Sequence, residues 1–450
     1  MDRRIVDALR AHPDIADWTV RLERSRGVQI YLVGMDIESV RQVSRQAYEV
    51  EVYHDHPAGA DGAAARGSAV VPLARADLDR LPSILDDAVL MASLINNPPW
   101  SLLGPAPMPE VALADPRLLD PAAATAAGLE AVDRIRELAE EERASGVRLS
   151  GAELFLTSYE EELVNSQGVE ATSTATRVLS EVTLLARGAE DETEYFRQSE
   201  ARRLADLGLE DTIRTGAQLA RDKLRATAPR TEQRPVVVTG EALNQMLGGQ
   251  VTGTPGAYIF QAMARAAYER LSRFEIGASV YGEREPVGDR ITMRANAQRP
   301  YGVSSYRWDS DGVPAQDLLV IEDGILRARP ATVRFAQYLG IAATGRAGVA
   351  EFGAGTRGRA DLLVGDGPVL EVLDFSAPNV EAITGDFGME IRVGYEHGPD
   401  GIRPITGGSV TGNLFEAMAD ARFSAETDEF AQFAGPAAIR FESLQVAGQD

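Results

Sequence analysis

Histidine and cysteine are the side chains that most often hold zinc in proteins, and this chain is poor in both. It has four histidines and no cysteine among 450 residues. No two of the histidines form a His-Glu-x-x-His or His-Glu-x-x-x-His pair, which excludes a helix presenting two imidazoles to one zinc ion. The lack of thiols also excludes disulfides, cysteine nucleophiles and cysteine-ligated zinc.

His54 and His56 are the one place where two imidazoles stand close together in the sequence. On a strand, side chains two residues apart point to the same face, so both rings could reach one cation. The pair also stands where a strand gives way to a loop rich in Pro, Gly and Ala at 57–67, which is typical of a solvated hairpin end. Both interpretations stay open, and stoichiometric zinc in the purified chain would point to these two residues.

Asp309 and Asp311 form the most prominent acidic pair, in the sequence Trp308-Asp-Ser-Asp-Gly312-Val-Pro. The further oxygen ligands and closing glutamate of a calcium loop are missing. Asp followed by Gly is typical of a turn, although contact with a substrate or partner is the alternative. The Gly-rich segment 248–256 precedes a predicted helix and could either hold a carboxylate through its backbone N–H groups or serve as a connector.

The charge of the chain argues against several classes of partner. Its 45 Lys and Arg against 68 Asp and Glu give a formal net charge of −23, which repels nucleic-acid backbones and anionic membrane surfaces. Residues 1–4 lead directly into an amphipathic pattern without a signal-peptide core, and no apolar run approaches the ~20 residues of a membrane span. We therefore expect a cytoplasmic protein with no nucleic-acid or membrane partner.

The length predicts two domains, which we place at 1–227 and 228–450. The first is predicted to be a mixed α/β domain with helices at 76–95 and 121–145, and with one or two connecting helices at 190–227. The second contains short β-like runs separated by Gly-rich turns, which indicates a large antiparallel, sandwich-like sheet system with helices near 241–247 and 257–271. The predicted fold class is α+β.

Several short motifs occur in the order in which they are found in the TldD/PmbA family, and the chain resembles that family from about residue 28 to its end. Each motif alone is weak, and their order gives the resemblance its specificity. The motifs lie at Glu160–Val169, Trp308–Pro314, Leu318–Leu326, Thr384–Phe387, Arg403–Asn413 and Leu444–Gly448. The resemblance implies that Trp308, Asp309, Asp311, Gly312, Gly407 and Asn413 are substrate-binding candidates.

The TldD type of subunit in this family is a metallopeptidase with a His-Glu-x-x-x-His motif and a later cysteine, and this chain departs from that pattern. The matching positions hold Gly240, Glu241 and Gln245, and the region 422–433 contains no cysteine. Zinc requires three or four protein ligands, mostly nitrogen or sulfur. The resemblance therefore implies a metal-free, TldE/PmbA-like chain with no catalytic residue and no cofactor of its own.

Three functional interpretations follow. The first is a non-catalytic subunit of a heterodimeric metallopeptidase, in which a TldD-like partner carries zinc and this chain helps to enclose unfolded peptides. The second is a stand-alone, homodimeric peptide-binding protein without proteolytic activity. The third, an enzyme that acts without metal through Asp309, Asp311 or Glu241, is the weakest, because the sequence offers no pair of a base and an orienting group.

Overall fold

The computed structural model describes residues 1–58, 62–249 and 255–448. Its first half is built on a six-stranded sheet of order β3-β2-β1-β4-β5-β6, in which every neighbouring pair is antiparallel. The strands are β1 (Asp17–Val33), β2 (Asp36–Ala58), β3 (Ala63–Leu73), β4 (Val147–Asn165), β5 (Glu170–Arg187) and β6 (Glu192–Ala201).

Four helices cover one face of this sheet. They are α1 (Arg3–Ala11), α2 (Leu81–Ser93), α3 (Pro121–Arg143) and α4 (Leu209–Lys223). Alternation along the strands explains the one-sided packing, because successive side chains point to opposite faces. On β4, Leu154 and Leu156 are buried beneath the helices, whereas Tyr159 and Glu161 belong to the opposite, polar face. Helix α3 begins at the Asp120 cap, whose carboxylate accepts two backbone N–H groups.

The second half contains two further sheets. One is six-stranded, of order β10-β9-β8-β11-β18-β17, and the other has the order β12-β7-β19-β15-β13-β14, with β16 beside β19. Their strands are β7 (Glu232–Thr239), β8 (Met293–Asn296), β9 (Asp317–Glu322), β10 (Ile325–Leu326), β11 (Val349–Phe352), β12 (Val369–Ala377), β13 (Asp386–Gly398), β14 (Gly401–Ile405), β15 (Ser409–Asn413), β16 (Arg422–Phe423), β17 (Thr427–Glu429), β18 (Phe433–Pro436) and β19 (Ala438–Ala447).

Short helices connect these strands, and one large apolar core lies between the two sheets. The helices are α5 (Glu241–Leu243), α6 (Ala257–Ala262), α7 (Ala264–Tyr268), α8 (Val333–Leu339), α9 (Arg359–Leu362) and α10 (Leu414–Ala417). An additional pairing of β12 with β13 links the second sheet into a closed circuit of strands. Helices together with extensive sheets confirm the predicted α+β class.

Three local predictions were wrong. The stretch 190–227 is not helical throughout, because 192–201 forms β6 and pairs with β5, and this tertiary pairing overrides the helix preference of its Glu, Arg and Gln residues. The predicted helix 257–271 breaks at Met263, whose ψ of 140° is extended. The second half is not purely antiparallel, since β7–β12 and β11–β18 pair in parallel.

No helix in the described ranges has the length and hydropathy needed to cross a membrane. The proposed boundary between 227 and 228 stays a prediction.

Candidate functional site

Three adjoining cavities lie between the polar face and β6 edge of the first sheet and the second half of the chain. Their volumes are about 380, 550 and 500 Å³. Glu23, Glu161 and Arg346 line both the first and the second cavity, and Arg177 and Glu200 line both the second and the third. We call this continuous space the central cleft.

Two of the three positions that the resemblance matched to the family's metal motif, Glu241 and Gln245, line the third cavity. Gly240 follows β7 with a φ of +58°, a conformation that favours glycine. Helix α5 begins at the next residue, Glu241.

The side chains at these positions do not fit a zinc site. The Gln245 amide is occupied by the protein, because its Nε2 donates to Asp374 Oδ1 at 2.8 Å and its Oε1 accepts the Phe375 N–H at 2.9 Å. Gly240 offers no side chain, and zinc needs three or four protein ligands. Within 1–58, 62–249 and 255–448, no three His, Asp or Glu side chains are grouped so that they could hold a metal ion.

Glu241 is a half-buried carboxyl without a strong cationic partner. Burial raises its pKa to about 7, while a hydrogen bond from Asn244 and the charge of Arg197 oppose the shift. Asn244 Nδ2 donates to Glu241 Oε1 at 2.8 Å. The carboxyl is therefore partly protonated near neutral pH.

Replacing this carboxyl with an amide is expected to reduce the dependence of stability on pH. The folded state binds the proton of Glu241 more tightly than the unfolded state, so folding stability falls as pH rises from the ordinary carboxyl pKa towards 7. We expect Glu241→Gln to be more stable than wild type at pH 8 by on the order of 1–3 kcal/mol and nearly equal to it at acidic pH. Urea unfolding across this pH range measures the difference.

Glu170→Gln, at an exposed position of β5, is the control and should follow the wild-type profile. Parallel pH profiles for wild type and Glu241→Gln would contradict the assignment of this carboxyl.

The predicted substrate-binding residues 308–312 form a tight hairpin loop, and Trp308 and Asp309 line the first cavity. Asp309 Oδ1 accepts the N–H groups of Asp311 and Val313, each at 3.0 Å, which is the turn expected from the sequence. Asp309 is 2% exposed, and its Oδ2 has no hydrogen-bond partner. Burial, followed by repulsion from Asp311, raises the pKa of Asp309 to about 7. Gly312 supports the turn with a φ of +79°.

The other two candidates lie away from this loop. Gly407 lines a separate open depression that adjoins the third cavity at Arg392. Asn413 is committed to the fold, because its Oδ1 accepts the first N–H groups of α10 and its Nδ2 donates to Thr384 O at 2.8 Å. The structure therefore brings Trp308 and Asp309 together at the cleft, and it leaves Asn413 outside it.

His54 and His56 do share one face of β2, with ring centroids 5.3 Å apart. His54 Nδ1 lies 2.7 Å from Asp14 O, and His56 Nε2 lies 3.0 Å from Asn96 Oδ1. These contacts are those of a hairpin packed on its neighbours. Of the glycine-rich segment, residues 250–254 lie outside the described residues.

The sequence analysis did not identify the charged residues on the polar face of the first sheet. Glu23 and Glu161 stand directly opposite each other on β1 and β4. Arg202, at the end of β6, donates to the carbonyl oxygens of Gly302, Val303 and Ser305 in the second half of the chain. The alternation of apolar and polar residues along β1 and β4 indicates that each glutamate lies on a polar face. It does not indicate that these two strands pair with each other.

Comparison with known proteins finds similarity to one family. Residues 231–448 match the family model described as the PmbA/TldA metallopeptidase C-terminal domain. The chain is 25% identical over 256 residues to metalloprotease PmbA of Escherichia coli O157:H7, a match covering 56% of this chain and 54% of that protein. The match thus spans about half the length of that relative.

Solved structures share the fold of the whole chain. TldE from Thermococcus kodakarensis superposes with a TM-score of 0.77 at 16% identity, covering 99% of both chains. A protein from Bacteroides thetaiotaomicron, described as a candidate modulator of DNA gyrase, superposes with a TM-score of 0.76 at 15% identity, covering 99% of this chain and 98% of the other. These superpositions show that the α+β architecture of the whole chain is that of the solved structures. Residues 231–448 thus match a domain of the PmbA/TldD family, and the whole chain shares the fold of the solved TldE structure.

Proposed function

We propose that this chain is the metal-free subunit of a heterodimeric, TldD/TldE-type metallopeptidase and forms part of a chamber for unfolded peptides. The proposal rests on which residues occupy the metal-motif positions. Where the family's active subunit has two histidines, this chain has a glycine and a glutamine whose amide is bound to Asp374 and Phe375. Zinc and the hydrolytic step therefore belong to a partner.

The central cleft supports a role in holding peptides. Its cavities adjoin along the boundary of the two halves, and its lining combines charged groups with Tyr195, Phe196 and Phe430. An extended chain offers amide donors and acceptors along its length, which a polar cleft of this kind can satisfy. The similarity to TldE of Thermococcus kodakarensis is in accord with this assignment.

Co-expression with a TldD-like paralogue from the same genome tests the proposal. We expect the two chains to elute together in size-exclusion chromatography, at a mass greater than that of either chain alone. Each chain purified separately is the control. Separate elution of the two chains would contradict the subunit assignment.

The stand-alone peptide-binding protein remains the second candidate. It would be favoured by a homodimer of this chain that persists when the paralogue is present and that binds peptides without cleaving them.

A further inference from the structure

On the polar face of the first sheet, the central cleft is lined by an acidic pair that the fold itself does not require. Glu23 on β1 and Glu161 on β4 are direct partners in the antiparallel ladder. Side chains in such pairs have Cβ atoms about 5 Å apart, and like charges placed there destabilise the sheet. Both glutamates line the first and second cavities.

The protein leaves this pair without a close cationic partner. Among the described residues, neither Glu23 nor Glu161 forms an ion pair or hydrogen bond. Burial and the charge of Glu23 raise the pKa of Glu161, and more distant arginines oppose that shift only in part.

Two of the three neighbouring arginines bind other groups. Arg21 pairs with Glu49, and Arg202 donates to backbone carbonyls. Arg346 lies 4.7 Å from the centroid of the Tyr306 ring and forms no ion pair in the described part of the chain. The acidic pair therefore faces the cleft with its charge incompletely compensated.

The side chain of Asp309 is a third carboxylate at the central cleft. Asp309 lines the first cavity together with Glu23 and Glu161. It is 2% exposed, and its Oδ2 has no hydrogen-bond partner. A buried carboxylate oxygen without a donor is costly, and a positive charge bound nearby would reduce that cost.

From these observations we infer that Glu23, Glu161 and Asp309 form a subsite for a cationic group of a bound peptide, a lysine or arginine side chain or the terminal ammonium. Such a group brings several N–H donors, and its charge relieves the repulsion between the two glutamates. The inference rests on the proposed peptide-binding role and adds a preference for the sequence of the peptide.

Binding of two matched peptides tests the subsite. The probes are fluorescently labelled, extended Ala/Ser peptides with an acetylated N-terminus, one carrying a central lysine and the other norleucine. We expect the complex with the paralogue, or this chain alone, to bind the lysine peptide about tenfold more tightly, a difference of about 1.4 kcal/mol. A free N-terminus on the norleucine peptide distinguishes the terminal ammonium from the side chain as the group that is bound.

A double variant and a matched control locate the preference. Glu23→Gln/Glu161→Gln should abolish the preference for lysine and raise the melting temperature, because like-charge repulsion is removed. Glu153→Gln/Glu181→Gln alters another directly opposed acidic pair on the same sheet, outside the cavity linings, and should leave the preference intact.

Equal affinity of the wild type for the lysine, norleucine and free-terminus peptides would overturn the inference, even if the double variant failed to fold. So would a divalent metal that the wild type retains and the Glu23→Gln/Glu161→Gln variant loses. A complex that is active but prefers neither the lysine peptide nor the free-terminus peptide would refute the subsite alone. A lysine preference without complex formation would refute the heterodimer and retain the subsite.

Discussion

The purified chain alone is expected to hydrolyse no peptide above background, whereas its complex with a TldD-like paralogue should hydrolyse unfolded peptides. A metal that polarises the scissile carbonyl contributes several kcal/mol, so the loss in the absence of the metal-bearing subunit should be on the order of a thousandfold or more. Cleavage of a quenched fluorescent peptide by each chain and by the mixture measures the effect.

The control is a paralogue in which the glutamate of its own metal motif is replaced by glutamine. It should still bind this chain and should give no activity in the mixture. Hydrolysis by this chain alone that a chelator abolishes would show that a metal site exists here, and it would contradict the subunit assignment.

Arg202→Met is expected to destabilise the protein by about 3–5 kcal/mol, the largest effect we expect from a single substitution. The guanidinium donates to Gly302 O at 3.2 Å and to Val303 O and Ser305 O at 2.8 Å, and Nη1 donates to Thr176 O at 3.2 Å. Methionine keeps much of the length of the side chain but leaves these carbonyl oxygens without their donor. Urea unfolding measures the loss of free energy.

The adjacent Arg203 provides a matched control. It is more exposed, pairs with Asp206, and lies 4.0 Å from the centroid of the Tyr301 ring. Arg203→Met should therefore cost about 1 kcal/mol or less. Arg202→Lys should lie between the two, because one ammonium cannot replace a planar group with five donors. If Arg202→Met were as mild as Arg203→Met, the link between the two halves would not depend on this residue.

The fold could be predicted from the sequence where one pattern extends over many residues. The helix at 121–143 has a capping aspartate, a proline at its first position and apolar residues at helical spacing, and it was predicted almost to the residue. The strand 192–201 was missed, because its several Glu, Arg and Gln residues favour a helix and outnumber the strand-favouring Thr193, Tyr195 and Phe196. It forms because the edge of β5 is available to pair with it.

The candidate site was predictable only in part, and for a similar reason. The loop 308–314 could be recognised from its own residues, since the Asp309 carboxylate accepts N–H groups that lie within four residues of it. The burial of that carboxylate and its unpartnered Oδ2 could not be seen, because they depend on packing against residues that are distant in the sequence.

The sequence by itself determined what the chain lacks and which family it resembles. Without a cysteine or a pair of histidines at motif spacing, no conformation of the chain can supply the family's zinc ligands. Only the tertiary structure decided which charged side chains lie next to each other. The register of β1 against β4 places Glu23 opposite Glu161, and the packing of the two halves brings Asp309 beside them. A shift of one residue in that register would turn the opposite set of side chains towards the cleft, because neighbouring residues on a strand point to opposite faces.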